Sequence, residues 1–265
     1  NSYNESQTTS WRDKGIGNLV HHNTASFIHF VKDFTQGSKE YLNKKNLSYT
    51  TMLYYDLYQE RIDKTELKDA GMYKAREIWH EEKYRYFKQE IEEIVSYRLE
   101  NLEITTSPLG DTVLPGIELY GCYTREEIFT LTGRQTENRR MQGSVSGVFT
   151  LPEYNTTLLF VTLNKSDKDF SPSTHYDDYI INKDYFHWQS KNTDAHNNAG
   201  GQIYTRQPEK HNKIVLFVRE EKKDGFGNTT PFHCFGLVDY VSSHGNFPMN
   251  ITWKLHQPVM AQYLK

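Results

Sequence analysis

The chain has 265 residues, of which 36% are apolar and 25% charged, the balance of a folded globular protein, and its formal net charge is −3. No apolar run approaches the roughly 20 residues a membrane-spanning helix needs. The mild negative charge argues against a general polyanion binder. Acidic and basic side chains balance beyond Pro115, so any nucleic-acid contact there must be local and specific.

Residues 1 to about 23 read as a polar lead-in around Trp11. Asn1 opens a polar run without an initiating Met, so the chain is expected to be part of a larger polypeptide. Phe27, Phe30, Val31 and Phe34 then fall at i, i+3, i+4 and i+7, one face of an amphipathic helix that Gly37 is placed to end. Further helices are expected over 49–62 with Leu53 and Leu57, over 65–80 with Leu67, Ala75, Ile78 and Trp79, and over 81–102 with Phe87, Ile91, Val95 and Leu99. Turn formers from Thr105 to Asp111 mark a boundary, giving a helical segment over 1–110 and a β-rich domain over 111–265. Thr124 and Glu127 have capping-box spacing ahead of a short helix stopped by Gly133.

Beyond that helix, short runs rich in β-branched and aromatic residues predict strands over 145–151, 156–164, 178–181, 186–191, 202–206, 213–222, 231–242 and 250–256. Asp224 to Asn228 reads as a hairpin loop. The class is α+β, the second part a barrel or a strongly bent sheet.

The two cysteines, Cys122 and Cys234, show no zinc-site spacing, so no metal and no cofactor is expected, and a reducing compartment is the natural reading. Arg134, Arg139 and Arg140 crowd a loop leaving a helix, where guanidinium forks suit phosphate oxygens; a solvated loop fits as well. Asp177 and Asp178 stand between Tyr176 and Tyr179. A carboxylate accepts the exocyclic amine of cytosine and repels the O4 of thymine. Flanking aromatics can stack on a base, with Tyr185, Phe186 or Trp188 as the opposite wall and His187, Gln189 and Ser190 on its polar edge. Against this, acidic pairs ahead of a strand usually face solvent and a strand Trp is usually core. Asp178, Glu220 and Lys222 also permit a Mg²⁺-dependent nuclease, although Glu and Lys at a strand end are commonplace.

The order of Gly121 to Ile128, Gly147 to Phe149, Pro152 to Asn155, Leu159 to Ser166, Phe170 to Pro172, Tyr176 to Tyr179, Phe186 to Ser190, Leu216 to Glu220 and Ile251 to Trp253 resembles a known family. It is the C-terminal domain of bacterial type IV, modification-dependent restriction enzymes that fuse a phospholipase-D-type nuclease to a superfamily-two helicase. The resemblance covers roughly residues 118 to 260, and the helical part resembles the segment coupling helicase to C-terminal domain. It implies a PUA-like barrel of the SET-and-RING-associated type that flips 5-methylcytosine or 5-hydroxymethylcytosine out of double-stranded DNA. It further implies nuclease and helicase domains in the same polypeptide, a bacterial cytoplasmic setting, a possible homodimer through the parent protein, and no catalytic residue in this chain.

Tyr176, Asp177, Asp178, Tyr179, Tyr185, Phe186, His187, Trp188, Gln189 and Ser190 would then form the base pocket, with Arg134, Arg139, Arg140 and Lys165 on the DNA backbone. The family's base-reading Asp precedes a Gly where this chain has Asp178, which leaves Asp177 and Asp178 both open. Strand alternation favours Asp178, on the face of Ile180 and opposite Tyr179. The remaining alternative is an assembly module that binds no DNA.

Overall fold

The computed structural model describes residues 15–37, 46–58, 82, 85–136, 141, 146–165 and 177–264. The chain divides into two compact units that alternate along the sequence, Asn1–Thr106 with Gly121–Gly143, and Ser107–Tyr120 with Ser144–Lys265. No helix among the described residues is long and apolar enough to cross a membrane.

The first unit is helical. Helix α1, Ala25–Thr35, buries Phe27, Phe30, Val31 and Phe34, the face its periodicity predicts, and the chain turns at Gly37 with φ +85°. Helix α2, Leu47–Tyr58, buries Met52, Leu53 and Leu57 completely, and Tyr49 on it meets Phe27 edge-on at 5.4 Å. Helix α3, Arg85–Glu100, contributes Phe87, Ile91 and Val95. The expected helix over 65–80 lies outside the described residues. Helix α4, Arg125–Leu131, carries the expected capping box: Thr124 Oγ1 accepts from the Glu127 N–H and the Glu127 carboxylate accepts from the Thr124 N–H. This helix belongs to the first unit, although it follows the boundary expected near residue 110.

The second unit is mainly β, so the α+β class holds. Strands β1 (Ser107–Pro108) and β2 (Glu118–Leu119) form a small antiparallel pair. The short strand β3, Cys122–Tyr123, lies in the first unit. One sheet path runs β4-β5-β8-β9-β10-β7-β6, through Val148–Leu151, Thr156–Asn164, Lys213–Glu221, Phe232–His244, Asn250–Leu255, Tyr185–Gln189 and Tyr179–Asn182 in that order. Its β5–β8 pair is parallel, and both strands are buried along almost their whole length, as continuous apolar runs in parallel strands should be. Strand β9 shifts register beside Gly236, whose φ is +81° and where an added Cβ would come within 2.8 Å of a Leu119 methyl.

The run over 202–206 is a correction. It forms helix α5, Ala199–Thr205, rather than a strand, because Asn198 caps it by accepting from Gly201 N–H. Its Ile, Tyr and Thr imitate strand composition, but Tyr204 and Gly201 are buried at helical spacing. Helix α6, Gln207–Lys210, follows, and Gln207 bonds to both Val238 O and Tyr240 N of β9.

The sheet is strongly curled. In a flat sheet β5 and β6, five places apart in the path, would lie about 24 Å from each other, yet Lys165 just after β5 pairs with Asp178 just before β6 at 2.8 Å.

Both cysteines are free and buried, and burial pushes each thiol up to about 12. Neither should react with a thiol reagent at neutral pH in the folded chain, while both should label in denaturant; mass spectrometry of the alkylated protein checks this.

Candidate functional site

The aromatic and amide cluster after Asp177 sits where β6, β7 and β10 adjoin. Alternation along β7 sends Phe186 and Trp188 one way and Tyr185, His187 and Gln189 the other. The ladder register places Tyr179 opposite His187, and Thr252 and Asn250 opposite His187 and Gln189, so these side chains share one face. Tyr179, 45% exposed, stacks on the His187 ring at 4.5 Å and 11°. His187 Nδ1 lies 2.8 Å from Asp177 O; because a carbonyl only accepts, that nitrogen carries the proton. Gln189 ties the face together, accepting from Asp177 N–H at 2.7 Å and donating to Asn250 Oδ1 at 3.0 Å.

Asp178 is the fixed carboxylate. Its Oδ1 accepts from Gln189 N–H at 2.9 Å and its Oδ2 from the Lys165 ammonium at 2.8 Å. The two side chains are only 3% and 7% exposed, Asp178 and Lys165 respectively. Burial pushes the Asp178 carboxyl above its ordinary range, and Lys165 and the Gln189 N–H partly hold it down. Each oxygen accepts one bond and keeps a second lone pair, so the group can still take an amine N–H while repelling a carbonyl oxygen. Asp177, by contrast, is exposed and contributes its main chain.

Several expected site residues are placed elsewhere. Phe186 and Trp188 are core: Trp188 packs edge-on against Tyr204 at 5.0 Å and beside Trp253 at 6.4 Å, so neither can wall a pocket on the face of His187. Ser190 is fully buried and extends the β7–β10 pairing, its hydroxyl accepting from Met249 N–H. Tyr185 is half-buried and shares the face of His187 and Gln189, but at the other end of β7, in register with Lys254. Lys165 is not free for a phosphate, because its ammonium is spent on Asp178. Arg134 belongs to the first unit, and Tyr176, Arg139 and Arg140 lie outside the described residues. For the nuclease alternative, Glu220 is on β8 and Lys222 just beyond it, and the Asp178 oxygens are already engaged by Lys165 and Gln189 rather than held open for a cation. Asn250 was not foreseen: it lies 61 positions from Gln189, and only the β7–β10 pairing joins them.

A family model described as "Domain of unknown function (DUF3427)" matches residues 117–265. Among curated proteins there is no match. A crystal structure of Arabidopsis thaliana SUVH6 in complex with SAM aligns with 95% of this chain and 41% of that one, at 12% identity and a TM-score of 0.36. The chain thus spans less than half of that protein's length, and at this TM-score the likeness carries no weight; the strand pairings themselves define the fold.

Proposed function

The chain belongs to the DUF3427 family, and we propose that its β-rich unit recognises double-stranded DNA carrying 5-methylcytosine or 5-hydroxymethylcytosine by taking up the flipped base. It would serve as the recognition part of a larger modification-dependent restriction enzyme, with cutting and ATP hydrolysis supplied by nuclease and helicase domains of the same polypeptide. One observation carries this reading: a buried carboxylate, Asp178, is held by two donors at the start of β6, and the next residue, Tyr179, presents an exposed ring backed by His187. The first supplies an acceptor for the exocyclic amine of cytosine, the second a stacking surface. The resemblance of its ordered motifs to those of modification-dependent restriction enzymes supports the choice of ligand.

Energetics set the scale of discrimination. Burying one methyl contributes about 0.8 kcal/mol, roughly a fourfold preference, whereas extruding a base costs a few kcal/mol. Stacking and pocket shape must therefore supply most of the binding. Tyr179→Ala, at an exposed position, is expected to keep the fold and weaken binding of a methylated duplex by about 1–3 kcal/mol, the worth of one stacked base. Asp178→Asn removes the acceptor charge and should erase the preference for cytosine at the flipped position. Fluorescence anisotropy with labelled duplexes, alongside circular dichroism to confirm folding, makes the measurement. Unchanged affinity and base preference in both folded variants would rule out this site.

A further inference from the structure

The helical unit contains a second constellation that the proposed DNA site does not use. His21 and His22 follow the helical turn over 15–20, Asp56 lies on α2 and Glu127 on α4. His21 Nε2 lies 3.0 Å and 3.1 Å from the two Glu127 oxygens. His22 Nε2 is 3.0 Å from Asp56 Oδ2 and 3.7 Å from Glu127 Oε1. One ligand atom each from His21, His22 and Glu127 fall within 4.8 Å of one another. Donors bound tetrahedrally at 2.0–2.1 Å from a zinc ion stand about 3.3 Å apart, and the measured separations bracket that value.

The hydrogen bonding of the group is incomplete. Glu127 Oε1 is buried and makes no hydrogen bond among the described residues, its contact with His21 Nε2 being an ion pair at 3.0 Å, and the His22 and Glu127 side chains are each only 2% exposed. Two carboxylates therefore face two imidazoles in a dry place, an arrangement that a divalent cation would neutralise. The surroundings already fix the donors. Arg98 forks onto His22 O at 3.1 Å and 2.9 Å, and the capping box holds Glu127 against Thr124 N–H.

We propose that His21, His22 and Glu127 bind one divalent transition-metal ion of the zinc type, which pins the 15–22 segment to α4. The three protein donors leave one tetrahedral position for water. His21 and Glu127 lie 106 positions apart, so the ion would stabilise the helical unit by joining distant segments.

The test uses the untagged 265-residue chain, stripped with a chelator, dialysed and titrated with zinc chloride. Elemental analysis after gel filtration should give about one zinc per chain, the thermal midpoint should rise, and cobalt should give the visible bands of a four-coordinate ion. His21→Ala should lower zinc affinity tenfold or more, and so should Glu127→Gln, which retains the helix cap because glutamine also serves there. Circular dichroism of the zinc-free variants verifies folding. Less than a tenth of a zinc per chain, or equal affinity in both folded variants, would overturn the assignment.

Discussion

Trp188→Ala is expected to destabilise the β-rich unit by about 3–5 kcal/mol, the cost of emptying a buried Trp site. Trp188 is 4% exposed and packs with Tyr204 and Trp253, the latter two almost completely buried. These rings come from β7, α5 and β10, so the cavity left by truncation has walls on three elements and cannot collapse by moving one. A urea transition followed by circular dichroism should shift to lower denaturant accordingly. A shift of under about 1 kcal/mol would mean that the indole is not packed as described, and would restore Trp188 as a candidate pocket wall.

Lys165→Met is expected to cost about 3–5 kcal/mol, because it leaves the Asp178 carboxylate buried without its partner. The pair spans strands five places apart in the sheet path, so its loss also loosens the curl that brings β5 and β6 together. Adding Asp178→Asn removes the stranded charge and should recover much of that loss. A double-mutant cycle in urea gives the coupling; additive effects of the two substitutions would show that the ion pair does not hold the curl.

The contrast between these residues shows what the sequence could and could not reveal. Residue type alone grouped Tyr185, Phe186 and Trp188 as one pocket wall; period-2 alternation divides Phe186 and Trp188 from Tyr185, His187 and Gln189, but it cannot say which face is core. That depends on Trp253, in register with Phe186 on β10, and on Tyr204 from a helix whose composition reads as strand. Local signals fared better: the spacing of Phe27, Phe30, Val31 and Phe34 specified α1, and Thr124 with Glu127 specified the start of α4. Preference for Asp178 over Asp177 followed from alternation; the ion pair that fixes Asp178 did not, since a lysine beside a strand end usually reaches solvent. His21 and His22 show no zinc-site spacing because Glu127 is 106 positions away. Only the packed helices bring the three together.

Measuring the dissociation constants of the whole chain for two duplexes that differ by a single 5-methyl group, in Mg²⁺-free buffer, tests the central reading most directly. The site described around Asp178 and Tyr179 predicts tighter binding of the methylated duplex by about fourfold or more. Equal dissociation constants for the two duplexes, or no binding to either, would contradict it.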